Sequence, residues 1–126
     1  MPSQNNSGAQ HQKRYAVTMV ATAALVANRF AAYDGTYATA AGGVKDCQGI
    51  TETDAAIGDA VPVVTDYSYL VEASGAVAFG DYLKPNVDGT GRAAVGTLTD
   101  HCGRALGAAA AAGQLVECQI VRHVHA

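Results

Sequence analysis

Few side chains in this 126-residue sequence have the chemistry of a catalyst or a metal ligand, and their spacing limits what they can do. His101 and Cys102 adjoin, and His123 and His125 alternate near the end of the chain. Imidazole and thiolate are zinc ligands, and two histidines separated by one residue on a strand point to the same face. A closed site needs a further carboxylate or thiol at matching spacing, and the sequence offers none. A Cys–His nucleophile pair would need the imidazole to face the thiol and a third group to orient it. Neighbours on a strand point to opposite faces, so His101 is badly placed to activate Cys102. The expectation is no catalytic residue, no metal and no cofactor.

Gly89-Thr90-Gly91-Arg92-Ala93-Ala94 fits the dinucleotide pattern G-x-G-x-x-A, which works only between a buried strand and a helix whose N-terminal amides meet the pyrophosphate. Lys84-Pro85-Asn86 precedes it and Gly96 cuts off any helix, so a hairpin loop is expected. Asp34, Asp54, Asp59, Asp66, Asp81, Asp88 and Asp100 lie mostly at turn signals, and no D-x-D-x-D-G calcium loop occurs among them. The three cysteines, Cys47, Cys102 and Cys118, are odd in number and form no C-x-x-C, so neither a disulfide framework nor a zinc knuckle is indicated, and a reducing compartment fits best.

The elements that position these residues must come from an unusual composition. Apolar residues make up 49% of the chain, but 26 are Ala, and Leu, Ile, Val and Phe together number 25. Charged residues are 15% and the net charge is −3, so self-repulsion does not oppose folding. One domain with a small-residue core is expected, and such a core makes a subunit interface a plausible supplement. No basic run exceeds Lys13-Arg14, which excludes the electrostatic footprint of a nucleic-acid binder. No apolar run is long enough for a membrane span. Lys13-Arg14 before the mostly apolar stretch Ala16 to Ala27 imitates a signal peptide, although Thr18 and Thr22 interrupt it. The expectation there is a buried strand or short helix. The alternative function, a secreted or periplasmic β-domain that binds a ligand or metal, would require the segment to be cleaved.

Residues 1–14 contain no large apolar side chain after the initiator and form a candidate flexible N-terminal arm. Residues 15–126 have the signals of a single β-rich domain with at most one or two short helices. Asp34-Gly35 and Asp88-Gly89 predict hairpin turns. Val61 to Thr65 and Tyr67 to Glu72 predict strands, and in Leu115 to Val124 the residues Val116, Cys118 and Ile120 share one face, with Glu117, Gln119 and His123 on the other. Gly107 to Gly113 is too short for a free-standing helix and predicts a turn packed on the sheet. A weak repeat runs through the body: Ala56-Ile57-Gly58-Asp59, Ala78-Phe79-Gly80-Asp81, and more loosely Ala111-Ala112-Gly113-Gln114. In each copy Gly turns the chain and Asp or Gln can bond local amides before a strand begins. Tyr67, Tyr69 and Tyr82 are candidates for an oligomer interface.

Tyr33-Asp34-Gly35 after Asn28-Arg29-Phe30, Gly49-Ile50, Ala56 to Val63, Gly80-Asp81, Gly103 to Leu106 and Gly113 to Cys118 together resemble the small capsid decoration, or cement, proteins of tailed bacteriophages. The resemblance spans roughly Val17 to Val121. It implies a β-barrel or β-tulip-like domain, commonly a homotrimer, seated on the outer surface of the virion head where major capsid subunits meet. It implies a non-enzymatic structural protein, present in the host cytoplasm during assembly, with no direct nucleic-acid or membrane partner. Some such proteins use an N-terminal arm that adds a strand to the capsid, which makes Gln4, Asn5, Asn6, Gln10, His11, Gln12, Lys13, Arg14 and Tyr15 the candidate capsid-binding residues.

Overall fold

The computed structural model describes residues 13–39 and 43–121. Among these the chain forms eight strands: β1 (Lys13–Val20), β2 (Phe30–Ala32), β3 (Cys47–Thr51), β4 (Ala60–Glu72), β5 (Tyr82–Pro85), β6 (Ala93–Val95), β7 (Gly103–Ala105) and β8 (Leu115–Ile120). Among the described residues the helical content is one 3-10 turn, Gly43–Lys45, in keeping with the mostly β expectation. The strands are hydrogen-bonded in the order β2-β3-β4-β8-β7-β5-β6, and β1 joins as a further partner of β4. The path nearly closes on itself. Phe30 N–H donates to Gly91 O at 2.7 Å, and Ser74 N–H donates to Ala93 O at 2.8 Å, which brings the segment entering β6 back against β2 and the end of β4. The result is a barrel-shaped sheet.

β4 is the spine. Its first half pairs antiparallel with β1 and β3, and its second half with β8, from Ser68 opposite Gln119 to Glu72 opposite Leu115. Where the sequence predicts two strands, 61–65 and 67–72, there is one of 13 residues. The Asp66 break is absent because β1 supplies a ladder partner there, with Tyr15 opposite Asp66.

Two apolar clusters fill the interior. The larger joins Phe30, Ile50, Val71, Leu83 and Val116 to small residues such as Ala32, Ala73, Ala93 and Ala105. The smaller holds Met19, Ala21, Leu25, Ala31, Ala55, Val61 and Val63. Full burial of a side chain such as Phe30, Ile50 or Leu83 contributes about 1.5–3 kcal/mol, and the alanines let neighbouring segments approach closely rather than adding much themselves. On β8, Val116 and Cys118 face the core as the alternation predicts. Glu117 departs from it: on the opposite face it is 2% exposed, and Ser68 Oγ donates to its Oε2 at 2.7 Å. A buried carboxylate needs such a donor.

The weak repeat is a structural one. Gly58, Gly80 and Gly113 all have φ of 90°, a conformation that L side chains rarely adopt. Asp59 N–H returns to Ala56 O and Asp81 N–H to Ala78 O, while the two aspartates accept from Ala56 N–H at 3.0 Å and Ala78 N–H at 2.9 Å. In the third copy Gln114 reaches one residue further back, to Ala110 N–H at 2.6 Å. Each turn also hangs on a buried alanine through two backbone bonds: Gly58 N–H to Ala21 O with Ala21 N–H to Asp59 O, Gly80 and Asp81 likewise on Ala105, and Gly113 and Gln114 on Ala73. The turns open β4, β5 and β8 in succession.

Candidate functional site

The surface that stands out is β1. Seven of its eight residues are exposed and only Met19 is buried, so both faces of the strand meet solvent. Its ladder runs to β4 alone among the described residues, with shifts of register at Lys13, Tyr15 and Ala16. An edge strand carrying Tyr15 at 66% exposure, Val20 at 59% and Val17 at 39% presents unpaired backbone groups beside apolar and aromatic side chains. That combination favours strand addition by another chain. The sequence reading of Ala16 to Ala27 as a buried strand or short helix is corrected here: β1 is an exposed strand, and the apolar residues that turn inward come later, at Met19, Ala21 and Leu25.

At the start of β1 several of the sequence-selected residues come together. Lys13 lies opposite Tyr67 and Tyr15 opposite Asp66 in the ladder. Lys13 Nζ pairs with Glu52 Oε2, a hydrogen bond that raises the lysine pKa above its ordinary value. Tyr69 belongs to the same neighbourhood: burial first, and then the Glu52 charge, push its phenol upward. Lys13 and Arg14 are therefore strand residues where the arm was expected to extend through position 14, because β4 offers them a ladder. Gln4, Asn5, Asn6, Gln10, His11 and Gln12 lie outside the described residues.

The three interface tyrosines do not share one surface role. Tyr67 is 39% exposed beside the root of β1. Tyr69 packs on the larger core cluster. Tyr82, on β5, holds His101 against its ring at a centroid distance of 4.6 Å and carries the Arg104 guanidinium 5.1 Å from its centroid.

The chemical constellations of the sequence resolve differently. His101 is buried, with Nδ1 3.0 Å from Thr97 O, while the neighbouring Cys102 enters the core. The two side chains thus diverge. His123 and His125 lie outside the described residues, and among the described ones no group of His, Cys, Asp and Glu side chains is arranged to hold a metal ion. Gly89-Thr90-Gly91 is the β5–β6 hairpin loop, with Leu83 opposite Val95 and Pro85 opposite Ala93, and strand rather than helix follows it. Arg29 and Arg92 close over this loop by sharing the Glu72 carboxylate, at 3.2 and 2.8 Å.

Sequence reasoning missed the exposure of β1 and the tips of the repeated turns, where Ile57 and Phe79 stand 72% and 60% exposed. The only signal for the first was the interruption of the apolar run by Thr18 and Thr22. For the second, it was the place of the apolar residue just before each turn glycine.

Comparison with known proteins agrees with this architecture. The N-terminal base of the head fiber protein gp8.5 of bacteriophage phi29, known from its crystal structure, superposes with a TM-score of 0.68 at 23% sequence identity, over 89% of this chain and 98% of that one. At that identity the likeness is one of fold. No curated protein matches the chain. The family described as phage cement protein matches residues 9–120, nearly the whole barrel with the last residues before β1. The chain belongs to the phage cement protein family, structural components of the bacteriophage virion.

Proposed function

We propose that this protein is a non-enzymatic clamp on the outer surface of a phage head, where it binds major capsid subunits through β1 and the segment that precedes it. The observation that carries this reading is β1 itself: an edge strand exposed on both faces, with Tyr15, Val17 and Val20 outward, directly continuous with twelve residues rich in Gln, Asn and Ser. Backbone groups of such a segment find partners on an exposed strand edge of the capsid, and Lys13 and Arg14 add attraction to an acidic surface. Ordering the segment costs about 1 kcal/mol per residue, so the bound form needs a nearly continuous set of hydrogen bonds.

The protein acts as a homotrimer in this reading. The thin, alanine-rich core supports that, since little apolar surface is buried per subunit. Of the three candidate interface tyrosines, Tyr67 is the most exposed and the one available for a subunit contact. The secreted ligand-binding alternative is weakened because Met19, Ala21 and Leu25, inside the stretch that imitates a signal, are buried in the second core cluster.

The test is removal of residues 2–12, which leaves β1 whole. The truncated protein should keep its thermal stability and oligomeric state while its co-sedimentation with expanded heads falls sharply. The remaining attachment of the full chain should weaken as salt rises. Attachment undiminished by the truncation would place the binding surface on the barrel.

A further inference from the structure

The hydrogen bonds around β1 identify which of its backbone groups are left open. Alternate residues of a strand turn their N–H and C=O to opposite edges. Ala21 N–H donates to Asp59 O at 2.9 Å and Ala21 O accepts from Gly58 N–H at 2.8 Å, so Ala21 faces the β4 side, as do Met19 and Val17 at two-residue steps. The opposite strand agrees. Pro62, the ladder partner of Thr18, turns its carbonyl away from β1, to Glu52 N–H at 2.9 Å. Ala16, Thr18 and Val20 therefore direct their backbone groups outward, where among the described residues no strand receives them.

This edge is closed at one end and charged at the other. Beyond Val20 the Asp34-Gly35 turn sits on it: Thr22 N–H donates to Gly35 O at 3.0 Å and Thr22 Oγ1 to Asp34 O at 2.8 Å. Gly35 comes so near that a Cβ on it would lie 2.6 Å from Val20 O, so a strand laid along the edge cannot run past Val20. The other end leads to Lys13 and Arg14, and the two cations differ. Lys13 is held by Glu52, whereas Arg14 makes no ion pair among the described residues. β1 carries no acidic residue, and between its ends Tyr15 and Val17 present aromatic and aliphatic surface.

Resting on the capsid reading above, we infer that the open edge of β1 takes a short strand of a major capsid subunit, bonded to Ala16 and Thr18, stopped by the Asp34-Gly35 turn and carrying a carboxylate opposite Arg14. A bare strand edge specifies register weakly, since every partner brings the same backbone. The turn and the cation supply what the backbone lacks. One fixes where the incoming strand ends, and the other fixes the sign of the charge it carries at its far end. Past Arg14 the same strand continues onto residues 1–12, so that arm and edge form one binding line. Lys13 is then a positioning residue, which ties the root of β1 to Glu52 and leaves the meeting with the capsid to Arg14.

The experiment measures co-sedimentation of the full chain with expanded phage heads that lack it. Thr18→Pro removes an outward N–H and sets a ring against the incoming strand, yet spares the β1–β4 bonds, and an edge strand tolerates proline in this orientation. It should weaken attachment about tenfold, while Thr18→Ala leaves it unchanged. Arg14→Glu should cost about tenfold at low salt and less as salt rises, and no loss at low salt would overturn the carboxylate. Hydrogen exchange on the wild-type chain requires no variant to fold. The Ala16 and Thr18 amides should exchange freely in solution and slowly on heads, with those of Val17 and Met19 protected in both. If removal of residues 2–12 abolishes attachment while Thr18→Pro stays attached and the two amides stay unprotected on heads, the edge pairing is overturned and the capsid reading stands. Full attachment of both altered proteins would overturn that reading as well. Amides of Ala16 and Thr18 already slow in the purified protein, or a smaller oligomer on Thr18→Pro, would give the edge to a second copy of this chain and overturn the proposal.

Discussion

Gly103 on β7 offers a stringent test of the packing between β7 and β8. A Cβ built there would lie 2.2 Å from Cys118 Sγ and 2.9 Å from Gln119 O. Non-bonded heavy atoms settle at about 3.5–4.0 Å, so Gly103→Ala forces a displacement of more than 1 Å in a closed core. The backbone can yield only by parting the ladder in which Gly103 faces Ile120 and Arg104 faces Gln119. Overpacking of this kind costs about 1–3 kcal/mol, and a loss near the upper end lowers the melting temperature by about 10–20 °C. Cys118→Ala alone removes the sulfur and leaves a small void, for a loss of about 1–2 kcal/mol. The double variant should be far better than the sum, because the alanine methyl at 103 enters the volume the sulfur has left. Only the contact with Gln119 O remains, so the expected coupling is about 2 kcal/mol in favour of the pair. Urea unfolding of the four proteins, in reductant and at one protein concentration, measures it. Additive losses in the double variant would refute the close approach of Gly103 to the thiol.

Three further outcomes follow from particular bonds. Asp59→Ala and Asp81→Ala each remove a side-chain acceptor that closes a turn, and each should lower stability by about 1 kcal/mol in urea unfolding while Asp54→Ala, whose carboxylate only takes Ala27 N–H across an exposed loop, should cost less. The Lys45 ammonium, and then the Thr36 hydroxyl, hold the Asp34 carboxyl below its ordinary value of 3.8, so its contribution is complete above that pH and is lost as pH falls through the depressed value. Because the pair is partly exposed the effect is a few tenths of a kcal/mol, and Asp34→Asn should flatten the acid limb of a stability-versus-pH curve by about that much. Tyr82→Leu should leave the apolar contacts of β5 largely in place yet strip His101 and Arg104 of their aromatic partner, at a cost of about 1 kcal/mol by thermal melting.

Much of the fold was legible because short-range chemistry determines it. Asp34-Gly35 and Asp88-Gly89 make the turns their residues predict, with Gly35 and Gly89 at φ of 87° and 81°. The alternation of Val116, Cys118 and Ile120 identifies the inward face of β8, and the Ala-x-Gly-Asp repeat identifies three strand entries. What could not be read depends on pairings between distant segments. Whether Val17 and Val20 turn in or out is decided by β4, some 45 residues away in the ladder, and not by their own neighbours. The same holds for Ser68 and Glu117, which bury each other from β4 and β8. The candidate interface was legible at its root, through Tyr15 and Tyr67, but as a composition rather than as an exposed edge.

The three repeated turns keep their exposed tips apart from the bonds that fold them. Every bond that shapes them uses backbone groups, a glycine, and one Asp or Gln, and their attachment to Ala21, Ala105 and Ala73 is backbone to backbone. The tip residue, Ile57 in one copy, Phe79 in another and Ala112 in the third, takes no part in this. Mutational drift at the tips therefore proceeds without being filtered by stability. A lineage confronted with a changed neighbour on the particle surface can vary these positions one at a time, or carry a short inserted peptide there, while the barrel beneath keeps the same sequence.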